Sequence, residues 1–184
     1  MSFNILIATV GRPSLQRMLD SLSPQLVESD CLTLVFDGRA AIPEFNLTKF
    51  KCKVNQFCEP VALGFWGHGI RNKYASLLEK RDFVMHADDD DYYYPDVFAE
   101  LRLLCKSTNT LYIAKMRHMN GVHLPQGPFI RVNHIGTPCG IIPYDLNTKG
   151  KWITAYGGDG KFYEQIASLG SPIVFLSTLI YHVR

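Results

Sequence analysis

The apolar residues fall into short runs broken by glycine, proline and helical spacings. Phe3 to Thr9 reads as a buried strand ended by Gly11. Pro13 suits a helix start, and Leu15, Met18, Leu19 and Leu22 follow at helical spacing. Cys31 to Phe36 is a second apolar strand that stops at Asp37-Gly38, and Phe50 to Phe57 is a weaker third. Ile70, Tyr74, Leu77 and Leu78 mark one face of a helix that Lys80-Arg81 closes with positive charge. Asp82 to His86 is a strand running into Asp88-Asp89-Asp90-Asp91. Pro95 opens a helix that buries Val97, Phe98, Leu101 and Cys105. Leu111 to Met116 is a strand. Residues 117–140 are rich in Gly, Pro and His and read as a loop or irregular hairpin, with a strand resuming at Ile141-Ile142. Gly157-Gly158-Asp159 precedes a helix over about Lys161 to Leu169, closed by Gly170, and Ile173 to His182 is the last strand.

Strand and helix alternate through the first half, which predicts an α/β domain with a mixed, mostly parallel sheet flanked by helices. Such sheets bind ligands at the carboxyl ends of their strands. Thr9, Asp37 and the four aspartates all fall at predicted strand ends. At 184 residues the chain suits one domain over 1–184, complete in itself or cut from a longer protein. A net charge of +2 gives no reason to expect nucleic-acid binding. The five cysteines are odd in number and scattered, which suits free thiols in a reducing compartment. No signal peptide or bilayer-long apolar run is visible, so the expectation is a soluble, cytoplasmic protein without a membrane span.

Four adjacent carboxylates repel one another and gain nothing from burial as bare charges. A strand that delivers them to its carboxyl end is best explained by a cation, most simply a divalent metal carrying a phosphorylated ligand. Side chains alternate along an extended segment, so Asp88 and Asp90 face one way and Asp89 and Asp91 the other. All-oxygen ligands favour Mg²⁺, Mn²⁺ or Ca²⁺ over zinc. A calcium loop fits poorly, because no glycine follows and no glutamate closes the run. The competing explanation is a solvated acidic turn ahead of Pro95.

A strand ending in Asp-x-Asp-Asp, with a proline shortly after, resembles the GT-A glycosyltransferases, especially the family 2-like inverting enzymes. Asp88 to Asp91 and Pro95 fit that register. Ile5 to Arg12 looks like the family's first nucleotide-binding strand and loop, and Val35-Phe36-Asp37-Gly38 like its second strand with a base-contacting aspartate. Leu63-Gly64 through Ile70-Arg71-Asn72 resembles the segment ending in Ala-Arg-Asn, and Gly157 to Phe162 the Glu-Asp motif that supplies the base. The ordered set covers nearly the whole chain. Compact domains of this kind resemble those of large DNA viruses, acting in host cytoplasm, and of bacterial surface-glycan pathways.

The resemblance implies a GT-A, Rossmann-like fold and a metal-dependent inverting transferase. Its donor is a nucleotide-diphospho-sugar, with a UDP-sugar favoured, and its acceptor a hydroxyl on a glycan or glycoprotein. Thr9, Arg12 and Asp37 would line the base and ribose pocket, Arg71 would approach the uracil or diphosphate, and Asp88 would contact the ribose. Asp89 is counted with these donor residues. Asp90 would bind the metal, Mn²⁺ ahead of Mg²⁺, with His182 as a further candidate ligand, and Asp159 would be the general base. The family more often has Glu before that Asp; here Gly158 takes its place. Trp66 and Trp152 are candidates for acceptor contacts, because flat aromatic faces pack against sugar rings, although each equally suits a core or loop anchor. Two other readings remain: a sugar-nucleotide nucleotidyltransferase, for which Thr9-Val10-Gly11-Arg12-Pro13 is a poor triphosphate loop, and a non-catalytic sugar-nucleotide or glycan-binding module.

Overall fold

The structure is a computed structural model describing residues 1–184. Strand β1 (Phe3–Thr9) leads to helix α1 (Leu15–Leu22), strands β2 (Cys31–Asp37) and β3 (Lys53–Glu59), and helix α2 (His68–Tyr74). Strand β4 (Phe83–Asp88) ends on the first of the four aspartates and is followed by β5 (Tyr92–Tyr93) and α3 (Val97–Leu104). Then come β6 (Leu111–Arg117), β7 (His123–Leu124), β8 (Gly140–Pro143), α4 (Tyr144–Asn147), α5 (Gly158–Ala167) and β9 (Ile173–His182). A turn of 3-10 helix, Thr137–Cys139, runs into β8.

All nine strands join one sheet in the order β3-β2-β1-β4-β8-β6-β9-β5, with β7 paired to β6. The block β3-β2-β1-β4 is parallel throughout. Strand β8 runs antiparallel between β4 and β6, and β6 and β9 are again parallel. The chain winds outward from β1 to β2 and β3, then returns to place β4 on the other side of β1. That reversal opens a crevice above the carboxyl ends of β1 and β4, where open α/β sheets bind ligands. The register sets Ala8 beside Asp88 there, and Thr9 beside Phe36 of β2.

The apolar runs behave as strands buried on both faces. Phe3, Ile5 and Ile7 of β1 join the larger hydrophobic cluster with Leu15, Met18, Leu19 and Leu22 of α1. Leu6, on the other face, packs with Ile70, Tyr74 and Leu78 from α2 and the turn after it. The expected i, i+3, i+4, i+7 stripe of α1 is therefore its buried face. All five cysteines are free. No helix is long and apolar enough to cross a membrane.

Several boundaries differ from the sequence expectation. Strand β3 begins at Lys53, not Phe50, and pairs with β2 as far as Asp37 opposite Glu59. Helix α2 ends at Tyr74, so Lys80 and Arg81 do not close it; they pair with Asp145 and Glu79. Helix α5 begins at Gly158, not Lys161, because Gly157 turns into it with φ 77°. Asp159 thus stands inside the first helical turn. The segment 117–140 is an irregular hairpin, with Arg117 opposite His123 and Met116 opposite Leu124.

Candidate active site

A cleft of about 640 Å³ lies at the crevice, lined by Thr9, Arg12, Asp37, Trp66, Asp88, Asp89, Asp90 and Asp159 among others. Eight residues singled out in the sequence therefore meet in one place. Three others do not line it: Arg71, Trp152 and His182.

The acidic run divides as strand alternation requires. Asp89 and Asp91 are buried, whereas Asp88 and Asp90 are partly open. Asp89 accepts hydrogen bonds from Thr9 Oγ1 at 2.6 Å and Arg12 Nη1 at 2.9 Å. Asp91 accepts the backbone N–H of Arg184 at 2.9 Å. Burial pushes the Asp91 carboxyl up to about 7. Asp90, with a side chain 49% exposed, has Arg12 Nη1 at 2.9 Å, and its backbone carbonyl accepts from Arg17. Desolvation raises its pKa, the charges of Asp89 and Asp88 raise it further, and Arg12 opposes them. Arg12 therefore bridges two carboxylates from the half-open rim of the cleft.

Asp37 accepts the backbone N–H groups of Leu63 and Gly64 at 2.7 and 2.8 Å. It thus fixes the loop that leads to Trp66 while lining the cleft. Phe65 and Trp66 both adopt positive φ, 57° and 53°, a costly backbone state for bulky side chains. Gly67 follows with φ 81°, and a Cβ there would come within 2.6 Å of the Ala8 Cβ. Only glycine lets this loop lie so close to β1. Trp66 lines the cleft and is left 69% exposed.

Arg71, expected to approach the uracil or diphosphate, is fully buried and does not line the cleft. Its guanidinium donates to Asp88 Oδ1 at 2.6 Å, the Trp66 carbonyl at 2.8 Å and the Ala87 carbonyl at 3.2 Å. It acts through Asp88 and the Trp66 loop. Trp152 likewise does not line the cleft. It is buried, stacked on Phe162 with ring centroids 4.2 Å apart, and covered by the Arg71 guanidinium. The anchor role is the one it fills. His182 stacks on Tyr92, and its Nδ1 lies 3.0 Å from the Tyr94 hydroxyl. It pairs with Tyr92 on β5 and does not line the cleft.

Asp159 is half-buried and lines the cleft. Its Oδ1 accepts the N–H of Gly160 at 2.7 Å. Burial holds its carboxyl above the ordinary carboxylate range, against the pull of that N–H. Such a carboxylate is a stronger proton acceptor than one in water.

Several cleft residues had no sequence signal. Leu124, Asn133, Ile135, Gly136 and Thr137 come from the aperiodic segment, and Tyr156, 85% exposed, from the approach to α5. His68 opens α2, lines the cleft, and is 5% exposed. A lone histidine in a glycine-rich loop announces neither role.

This crossover sheet, with its cleft at the β1 and β4 ends, is the GT-A-like fold of glycosyltransferases. S. aureus TarS 1-349 in complex with UDP-GlcNAc is similar to it, with TM-score 0.73 and 19% identity over 100% of this chain and 58% of that one. The same protein in complex with UDP gives TM-score 0.70 and 20% identity over 100% and 60%. HddC from Yersinia pseudotuberculosis gives TM-score 0.56 and 15% identity over 98% and 92%. The chain spans about three fifths of the TarS 1-349 chains it matches. No family model and no curated protein matches the sequence.

Proposed function

We propose that the protein is an inverting glycosyltransferase that moves a sugar from a UDP-sugar, or another nucleotide-diphospho-sugar, to a hydroxyl of a glycan or protein-linked acceptor. The observation that carries this reading is the cleft itself, which Asp88, Asp89, Asp90 and Asp159 all line. The fold it shares with a protein solved with UDP-GlcNAc supports the donor class.

The donor would lie along Thr9, Arg12, Asp37, Asp88 and Asp89. The acceptor would enter past Trp66 toward Asp159. As the acceptor oxygen bonds to the anomeric carbon, its proton passes to Asp159, and the bond to the diphosphate oxygen breaks with its electrons leaving on the diphosphate. A single in-line displacement inverts the anomeric centre.

The residues fit a divalent cation. Asp90 offers a half-exposed carboxylate in surroundings already too rich in negative charge, and its ligand atoms are oxygens. No cluster of three or more His, Cys, Asp or Glu side chains converges on one point. A hard cation that takes one or two carboxylates and completes its shell with phosphate oxygens and water suits that arrangement. Asp90 would hold it, with Asp88 nearby, and Mn²⁺ or Mg²⁺ would stabilise charge on the leaving diphosphate. Arg12 would release Asp90 to it and remain close enough to meet the phosphates.

Calorimetry and turnover on two variants test this reading. Asp159→Asn should keep UDP-sugar binding and lose about 10²- to 10⁴-fold in turnover, the usual worth of a general base. Asp90→Ala should abolish the tightening of UDP binding by Mn²⁺. Unchanged turnover in the first variant removes the base; unchanged metal response in the second removes the metal ligand.

A further inference from the structure

His68 is more than nine-tenths buried and lines the cleft, yet only one of its ring nitrogens has a protein partner. Nδ1 lies 2.8 Å from the backbone oxygen of Ile153. A carbonyl oxygen can only accept, so Nδ1 carries the proton and donates. In the neutral ring, Nε2 then keeps a bare lone pair. It makes no hydrogen bond within the protein and is not among the atoms sealed from solvent without a partner. The free nitrogen is therefore open to whatever fills the cleft.

The surroundings hold the ring neutral and fixed. Burial depresses the His68 pKa, and the Arg71 guanidinium depresses it further. Trp66 and Trp152 flank the ring, with centroids 6.2 and 5.4 Å away. Gly158 makes room for it: a Cβ there would come within 2.5 Å of His68 Cε1, 2.7 Å of Nδ1 and 2.4 Å of the Ile153 oxygen. The chain has given up a side chain beside Asp159, and the space is filled by the imidazole.

We infer that His68 Nε2 accepts a hydrogen bond from a hydroxyl of the acceptor substrate, making it a binding residue that orients the acceptor beside Asp159. The acceptor class is thereby narrowed to polyhydroxylated molecules, in which one hydroxyl reacts and another donates to His68. A lone alcohol lacks the second contact. This deepens the transferase reading and rests on it for the identity of the hydroxyl-bearing ligand.

The test combines a spectrum with a partition ratio. In ¹⁵N-histidine-labelled protein near pH 7, His68 should show a protonated Nδ1 and an unprotonated Nε2; a protonated Nε2 overturns the proposal. That readout needs no turnover, so it stays separate from failure of the transferase reading, which would appear as no donor cleavage at all. With methyl hexopyranosides as acceptor probes, the ratio of sugar transferred to the glycoside over sugar lost to water should fall about tenfold in His68→Phe. The ratio does not depend on how much enzyme is folded. His68→Gln, whose amide can donate to Ile153 and accept from the acceptor, should recover most of it. An unchanged ratio in His68→Phe, or an equal fall in both variants, overturns the proposal.

Discussion

Each aspartate of the run has its own set of partners, with Arg12 shared between Asp89 and Asp90, and those sets distinguish the four. Asp89 is tied to Thr9 and Arg12, Asp91 to the backbone of Arg184, and Asp88 to Arg71. Asp90 alone combines an open side chain with a single exposed counter-ion. Arg71 is the residue whose loss should be felt most widely. Arg71→Ala leaves Asp88 without its cation, frees the Trp66 carbonyl and opens a void under Trp152. The Asp88 side chain is 36% exposed, so water replaces part of the lost pairing, and the unpaired buried groups cost about 1–3 kcal/mol. Chemical denaturation should show that loss, together with weakened nucleotide binding. The pH dependence follows from Asp159. Its raised pKa keeps the base protonated to a higher pH than an ordinary aspartate, so kcat/KM should rise with pH through a midpoint above that of an ordinary aspartate.

At the scale of elements, the site is carried by strand ends and by the start of one helix. Strands β1, β2 and β4 deliver Thr9, Asp37 and Asp88 as parts of one parallel block, and their apolar runs made those ends legible in advance. Helix α5 delivers Asp159, and its position depends on Tyr163. That hydroxyl donates to the Thr137 carbonyl at 2.7 Å and accepts the Gly140 N–H at 2.9 Å, joining the helix to the far wall of the cleft. Tyr163→Phe leaves both backbone groups buried and unpaired, so stability should fall by about 1–3 kcal/mol. Transfer should weaken beyond that fall, measured as kcat on fully folded protein. What stayed hidden in the sequence has a common cause. The wall from 117–140 has no hydrophobic period because little of it is regular. Trp152 turned inward because Phe162 offers a parallel ring and Arg71 a covering cation, neighbours that no local pattern reveals. The early start of α5 rests on a positive φ at Gly157, a choice that glycine permits without declaring.

Across the whole molecule, charge and shape are arranged around one opening. The formal net charge is only +2, while the cleft gathers five aspartates against Arg12. Trp66 and Tyr156, both largely exposed, stand at its lining, where the proposed glycan acceptor would meet an aromatic face. The likeness to TarS covers all of this chain and 60% of that one, so the match contains the complete cleft-bearing sheet. The most direct measurement is release of nucleoside diphosphate from a panel of nucleotide sugars, with and without Mn²⁺, by the unaltered protein and by Asp159→Asn. The account predicts Mn²⁺-stimulated release from at least one UDP-sugar, lowered about 10²- to 10⁴-fold in the variant. Release that is equal in both proteins, or absent with every donor although nucleotide still binds, would contradict it.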